Sequence, residues 1–195
     1  YIWKDISTGI REGMVQWPGD RRIRITKDLS LEQGEDANVS SIETCVHIGT
    51  HVDVPLHFIT NGNDVTKYSL EKLTGTARVI FLPGIEEISI AHLIELEIGE
   101  GDKIIFKTDN SKVNWMMEPF NERFVALTAD AAQYLADCKI DLVGIDYLSI
   151  AMPNDNTAVH RKLLENNICI VEGLLLNEVE EGLYDFICLP INIEK

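Results

Sequence analysis

Three of the five histidines in this 195-residue chain fall within eleven residues, in His47-Ile-Gly-Thr-His51-Val-Asp53-Val-Pro-Leu-His57. The metal-ligand residue types His47, His51, Asp53 and His57 all hold odd positions, while Ile48, Thr50, Val52, Val54 and Leu56 hold even ones. An extended chain alternates its side chains between two faces. One face is therefore expected to carry three imidazoles and a carboxylate, and the other an apolar row for the core. A helix suits the segment less well. His47 and His51 would share a face, but Asp53 would turn away, and Gly49, Pro55 and the β-branched residues are poor helix formers. The pattern predicts an extended segment bent at Gly49 that leaves its ladder near Pro55.

Imidazole with carboxylate suits Zn(II), Mn(II) or Fe(II) better than Ca(II) or Mg(II), which prefer oxygen shells. Structural zinc sites are usually closed and rich in cysteine. None of the four cysteines forms a C-x-x-C pair, so an open, catalytic site is expected. A carboxylate can bridge two ions, which would make Asp53 the shared ligand of a binuclear centre. The competing reading, a set of hydrogen-bonded core histidines, is disfavoured because three imidazoles and a carboxylate on one face are costly to bury unpaired. Cys45 has the same parity and is read as a small buried neighbour rather than a ligand. His92 stands alone in a helical pattern and is read as a surface or packing residue. His160 lies on an expected helix and Glu172 ends the next expected strand. Such a pair can meet at one strand edge, and the spacing alone leaves open whether they are ligands.

The rest of the chain supplies elements that could position these groups. Its front reads as β-rich, with strands expected at 22–27, 40–48 and 77–82. Helix and strand then alternate: helix 89–97, strand 103–107, helix Ala129–Asp137 capped by Thr128, strand 141–145, a helix from Asn156 or Thr157 to Asn166, and strands 168–171 and 184–189. The order β-α-β-α-β predicts a parallel sheet with right-handed crossovers, and the β-rich front a second, antiparallel sheet. A single α/β domain over 1–195 is expected. Ligands gather at the carboxyl ends of such strands, where Asp109, Asp146 and Glu172 fall.

Composition narrows the partners. A net charge of −15 disfavours nucleic acid and anionic membrane surfaces. No apolar run approaches the ~20 residues of a membrane helix, and no leader pattern points to secretion. Buried, unpaired cysteines fit a reducing cytoplasm, which is the expected location.

The segment His-x-Gly-Thr-His-x-Asp-x-Pro-x-His-Phe at 47–58 resembles the signature of the cyclase family, which contains bacterial kynurenine formamidases. The resemblance continues through Trp17-Pro-Gly-Asp20, Gly144-Ile-Asp146, His160 and Val171-Glu-Gly173, nearly the whole chain in order. It implies a three-layer β/β/α fold with a mixed or parallel central sheet and a second antiparallel sheet. It also implies two divalent ions, zinc or manganese. His47, His51 and Asp53 would hold one, His160 would complete the second, and Asp53 and Glu172 would bridge. His57 would carry the proton and Trp17 would line an aryl pocket. Hydrolysis of an aryl formamide such as N-formylkynurenine would follow, in a homo-oligomer (dimer or tetramer). The alternatives are ring opening of a cyclic amide such as isatin, a metal-binding module without turnover, and an oligomerisation protein with a purely structural metal. Two stretches depart from the family pattern, Arg21-Arg22 after Asp20 and the segment 110–121 with Trp115, Met116, Met117 and Phe120; both are expected near the pocket.

Overall fold

The computed structural model describes residues 2–194. Its first two strands, β1 (Arg24–Leu29) and β2 (Val39–Glu43), pair as an antiparallel ribbon with Ile25 opposite Ile42. Both are exposed along their length. Then come β3 (His51–Asp53), the single turn α1 (Leu70–Leu73), β4 (Thr74–Leu82), β5 (Lys103–Thr108), α2 (Ala129–Asp137), β6 (Leu142–Ile145), α3 (Asn156–Glu165), β7 (Cys169–Glu172) and β8 (Gly182–Ile187). The six later strands form one sheet in the order β3-β7-β6-β5-β4-β8. The central β7, β6, β5 and β4 are parallel, and the edge strands β3 and β8 are antiparallel to their neighbours. The architecture is a mixed α/β fold with a six-stranded mixed sheet and a separate two-stranded antiparallel sheet, as expected from the sequence.

Strands buried on both faces need apolar residues at successive positions. Ile104-Ile105-Phe106, Leu142-Val143 and Cys169-Ile170-Val171 meet that need, and all are buried. Ile80, Ile104, Phe106, Val143, Ile145 and Ile170 face α2 and α3, against Ala131, Leu135, Val159 and Leu163. The alternate residues Ala77, Val79, Ile105, Leu142, Cys169 and Val171 pack on the opposite face with Leu73, Leu174, Leu176 and Phe186. At about 1.5–3 kcal/mol per buried large apolar side chain, these two layers hold the sheet rigid. The ends of β5, β6 and β7 consequently fall at one edge, and β3 enters at that edge with His51 opposite Glu172.

Several expected boundaries shift. The strand expected at 40–48 ends at Glu43, because residues 44–50 turn inwards, with Gly49 at φ +58°. The helix expected at 89–97 is only a 3-10 turn, Ile90–His92. Of its apolar residues, Leu93 is buried but Ile90 and Ile94 are exposed, so no apolar face rewards a segment too short to be helical alone. His92 stays on that turn, where its Nδ1 accepts from the Ser89 N–H. Asp155, rather than Asn156 or Thr157, holds the cap position of α3. Thr128 does occupy the cap position of α2, but its side chain makes no cap bond; its hydroxyl donates to the Ile88 carbonyl instead.

Candidate metal centre

The 47–57 segment is extended only over β3. His47 reaches the cluster from a bend, and His57 from a 3-10 turn, Pro55–His57, that starts where Pro55 ends the ladder. Alternation along a strand therefore accounts for His51 and Asp53, whereas turns bring in His47 and His57. His160 arrives from α3 and Glu172 from the end of β7.

Asp53 lies at the centre and is 1% exposed. Its Oδ1 lies 2.8 Å from His47 Nδ1 and 3.4 Å from His51 Nε2. Its Oδ2 faces the other way, 3.3 Å from His160 Nε2 and 4.0 Å from His57 Nε2. Glu172 spans the same divide, with Oε2 3.4 Å from His51 Nε2 and Oε1 3.1 Å from His160 Nε2. Two ligand-type groups result, His47/His51/Asp53 and Asp53/His160/Glu172, and within each the ligand atoms lie no more than 4.8 Å apart.

The donor atoms in these groups are buried and close but poorly aligned. His47 Nδ1, His51 Nε2 and both oxygens of Asp53 have no hydrogen-bond partner despite the short separations. Buried polar atoms left unpaired cost about 1–3 kcal/mol each. Four of them converging on shared points fit cations better than a hydrogen-bonded core. The second ring nitrogens add to this fit. His51 Nδ1 lies 3.1 Å from the Gly49 carbonyl and His160 Nδ1 lies 2.7 Å from the Asn156 carbonyl. Such backbone partners leave each Nε2 turned inwards, as metal-binding histidines require. The all-N/O donor set suits zinc or manganese; Cys45 belongs to neither group.

The electrostatics without an ion show what a cation would replace. Burial alone would raise the Asp53 carboxyl, but the imidazoles of His160, His47 and His51 hold it well below the usual carboxylate range. Burial and Asp53 push Glu172 up, and His160 and His51 bring it below its ordinary value. Burial lowers His160, yet Asp53 and Glu172 outweigh it and raise it to about 10; His51 is raised well above its usual value in the same way. Protons on these two imidazoles thus balance the two carboxylates. Ion binding must displace them. Zinc added to metal-free protein at pH 7 in weak buffer should therefore release protons, and affinity should rise with pH. Zinc uptake without acidification would contradict this balance.

His57 differs from the other imidazoles. It is in neither ligand group, stacks on His47 at 3.8 Å, and its side chain is only partly exposed. Burial, aided by His47, pushes it down to about 4 against the pull of Asp53. It opens on a cleft of about 120 Å³, bordered by Trp17 and Asp20 on one side and by Leu148, Ser149 and Asn156 on the other. The edge-on Phe120 ring supports Trp17 at 5.3 Å. Trp115 and Met116 of the 110–121 segment are instead buried in an aromatic core with Phe124 and Tyr147. Of the three acidic residues at strand ends, only Glu172 joins the cluster. Asp109 pairs with Lys112 at 2.8 Å. Asp146 is buried and accepts bonds from Thr108, Asn110 and Ser111. Leu148, Ser149 and Asn156 carry no sequence signal as cleft residues; only their place between Asp146 and His160 hints at it.

Residues 4–152 match the family described as "Putative cyclase". The chain belongs to the cyclase family. Among relatives of this cyclase-family chain, the kynurenine formamidase of Bacillus cereus is 30% identical over 190 residues, covering 97% of this chain and 90% of the relative. Cyclase-like protein 3 of Arabidopsis thaliana is 38% identical over 173 residues, covering 85% of this chain; the aligned part spans 64% of that relative's length. A solved structure described as a potential metal-dependent hydrolase with cyclase activity superposes with a TM-score of 0.86 at 31% identity, covering 98% of this chain and 90% of the other.

Proposed function

We propose that this cyclase-family chain is a metal-dependent amide hydrolase acting on aryl formamides, with N-formylkynurenine the leading substrate, to yield formate and a free arylamine. The observation that supports it most is Asp53, a buried carboxylate with each oxygen unpartnered and turned towards a different ligand group. His47, His51 and Asp53 would hold one divalent ion, and Asp53, His160 and Glu172 the other, with zinc preferred and manganese an alternative. Such ions, when bound, ionise water near neutral pH and polarise an amide carbonyl.

The chain's own residues do the rest. Trp17, backed edge-on by Phe120, offers an aromatic wall on which an aryl ring can lie. This orients the formyl carbon towards the ligand cluster. His57 stands beside that cluster with an imidazole free to take a proton from the attacking water. It then delivers that proton to the leaving nitrogen as the C–N bond breaks, which matters because a bare anilide nitrogen leaves poorly. The similarity to a kynurenine formamidase over nearly the whole of both chains supports the formamide reading. Trp17→Ala should raise KM for N-formylkynurenine by roughly tenfold, the worth of one aromatic contact of about 1.4 kcal/mol. It should leave KM for a small aliphatic formamide unchanged. Equal effects on both substrates would remove Trp17 from the aryl pocket.

We also propose a homo-oligomer as the working form. The chain exposes 11129 Å² at 22.0 kDa, whereas a compact monomer of that mass exposes about 9300 Å². The excess matches what one protomer gives to a large homodimer interface. Ile25, Leu29, Val39 and Ile42 on the β1–β2 ribbon are uncovered apolar residues. Light scattering should give at least twice the chain mass, and Ile42→Glu should shift it towards the monomer. A wild-type monomer at micromolar concentration would contradict this. Among the described residues no helix is long and apolar enough to cross a membrane.

A further inference from the structure

Gly173, directly after Glu172, is held on every side. Its N–H donates to the Tyr147 carbonyl at 2.7 Å. Its own carbonyl accepts two hydroxyls, Thr50 Oγ1 at 2.6 Å and Thr8 Oγ1 at 2.7 Å. The Thr8 N–H in turn donates to Thr50 Oγ1 at 2.7 Å, so the two threonines and the glycine carbonyl close a small ring of bonds. The backbones meet here without intervening side chains. Gly173 has φ +73°, and a Cβ on it would lie 2.0 Å from the Gly49 carbonyl oxygen. That same oxygen is the partner of His51 Nδ1. Thr8 is 5% exposed although it belongs to an irregular segment far from the cluster in sequence. Two residues earlier, the Ile6 carbonyl accepts from the Leu175 N–H at 2.9 Å and keeps that segment alongside.

We infer that Thr8 is a positioning residue for the metal centre: with Thr50 it fixes the Gly173 carbonyl and so holds Glu172 in reach of both His51 and His160. The inference rests on the metal-centre reading above. The physical reasoning is local. Glu172 is the last residue of β7, and its Oε1 also accepts from the Ile150 N–H at 2.6 Å. The Glu172–Gly173 peptide is held by the Gly173 N–H on the Tyr147 carbonyl, and a shift of Gly173 would carry the Glu172 carboxylate away from the two imidazoles 3.1 and 3.4 Å distant. Two hydroxyls on the carbonyl of the next peptide, that of Gly173, oppose that shift. His47, His51 and Asp53 lie on one continuous stretch and depend on this clamp less than Glu172 does. Thr8 thus acts on the ion that uses Glu172, without touching it.

The test is zinc titration of the metal-free full chain against a chromophoric chelator, for wild type, Thr8→Val and Thr8→Ser. Valine keeps the shape and removes the hydroxyl; serine keeps the hydroxyl. The most weakly held zinc should bind about 10–100-fold less tightly in Thr8→Val, the usual cost of losing a group that orients a ligand. Thr8→Ser should restore wild-type affinity. Thermal melts of the metal-free proteins should differ by only a few degrees. Thr50→Val and Thr50→Ser, which alter the other hydroxyl, give the same comparison should Thr8→Val fold poorly. Wild-type affinity in the valine variants, or failure of serine to rescue, would overturn the inference while leaving the proposed function standing. A wild-type chain that takes up neither zinc nor manganese would instead overturn the proposed function and this inference with it.

Discussion

Asp53→Ala should strip the protein of both ions and lower formamide turnover by at least about three orders of magnitude, the factor that some 4 kcal/mol of transition-state stabilisation represents. Among the described residues, no other faces both ligand groups with two unpartnered oxygens. Removing His47 or His160 deletes one nitrogen from one group, whereas removing Asp53 deletes an oxygen from each. The substitution also leaves Glu172 as the lone carboxylate among the buried imidazoles of His51 and His160, too little negative charge to hold two dications. Metal analysis after gel filtration reads the first effect and formate release the second. An Asp53→Ala protein that kept both ions would show that the donor atoms lie elsewhere.

The second large effect separates holding an ion from moving a proton. His57→Ala should lower kcat by about 10²–10⁴ while the metal content stays at the wild-type value. The imidazole lies outside both ligand groups, with its Nε2 4.0 Å from Asp53 Oδ2, and it borders the cleft. An activated formate ester of a phenol, whose leaving group needs no protonation, should lose much less activity than the anilide. That contrast would not arise if His57 merely packed on His47. If the variant instead loses an ion, His57 is a ligand and the proton must travel through another group.

Much of this centre was legible in the sequence because three histidines and an aspartate crowd one short segment. Period-two alternation correctly joins His51 to Asp53, and Gly49 and Pro55 mark where the extended run is interrupted. The same alternation misplaces the route of His47 and His57, which reach the cluster through a bend and a 3-10 turn. His160 and Glu172 were open from spacing alone. They meet because a right-handed crossover returns β7 beside β6 with α3 packed above, and that is tertiary information. The resemblance to the cyclase family implies this pairing where the local pattern leaves it open. Thr8 was not legible at all: a threonine in an irregular segment has no periodicity to mark it, and its role exists only through a carbonyl 165 positions away. The helix expected at 89–97 failed for the converse reason. Its spacing was helical, but the fold buries only Leu93 and leaves Ile90 and Ile94 in solvent.

The most direct test of metal-dependent formamide hydrolysis uses one preparation of the wild-type chain, measured for bound metals and for formate release from N-formylkynurenine. The two measurements are made before chelation, after it, and after zinc or manganese is restored. Two ions per chain are expected, with turnover lost on chelation and regained on reloading. Formate release that persists in the metal-free protein, or no release with both ions bound, would contradict the proposed function.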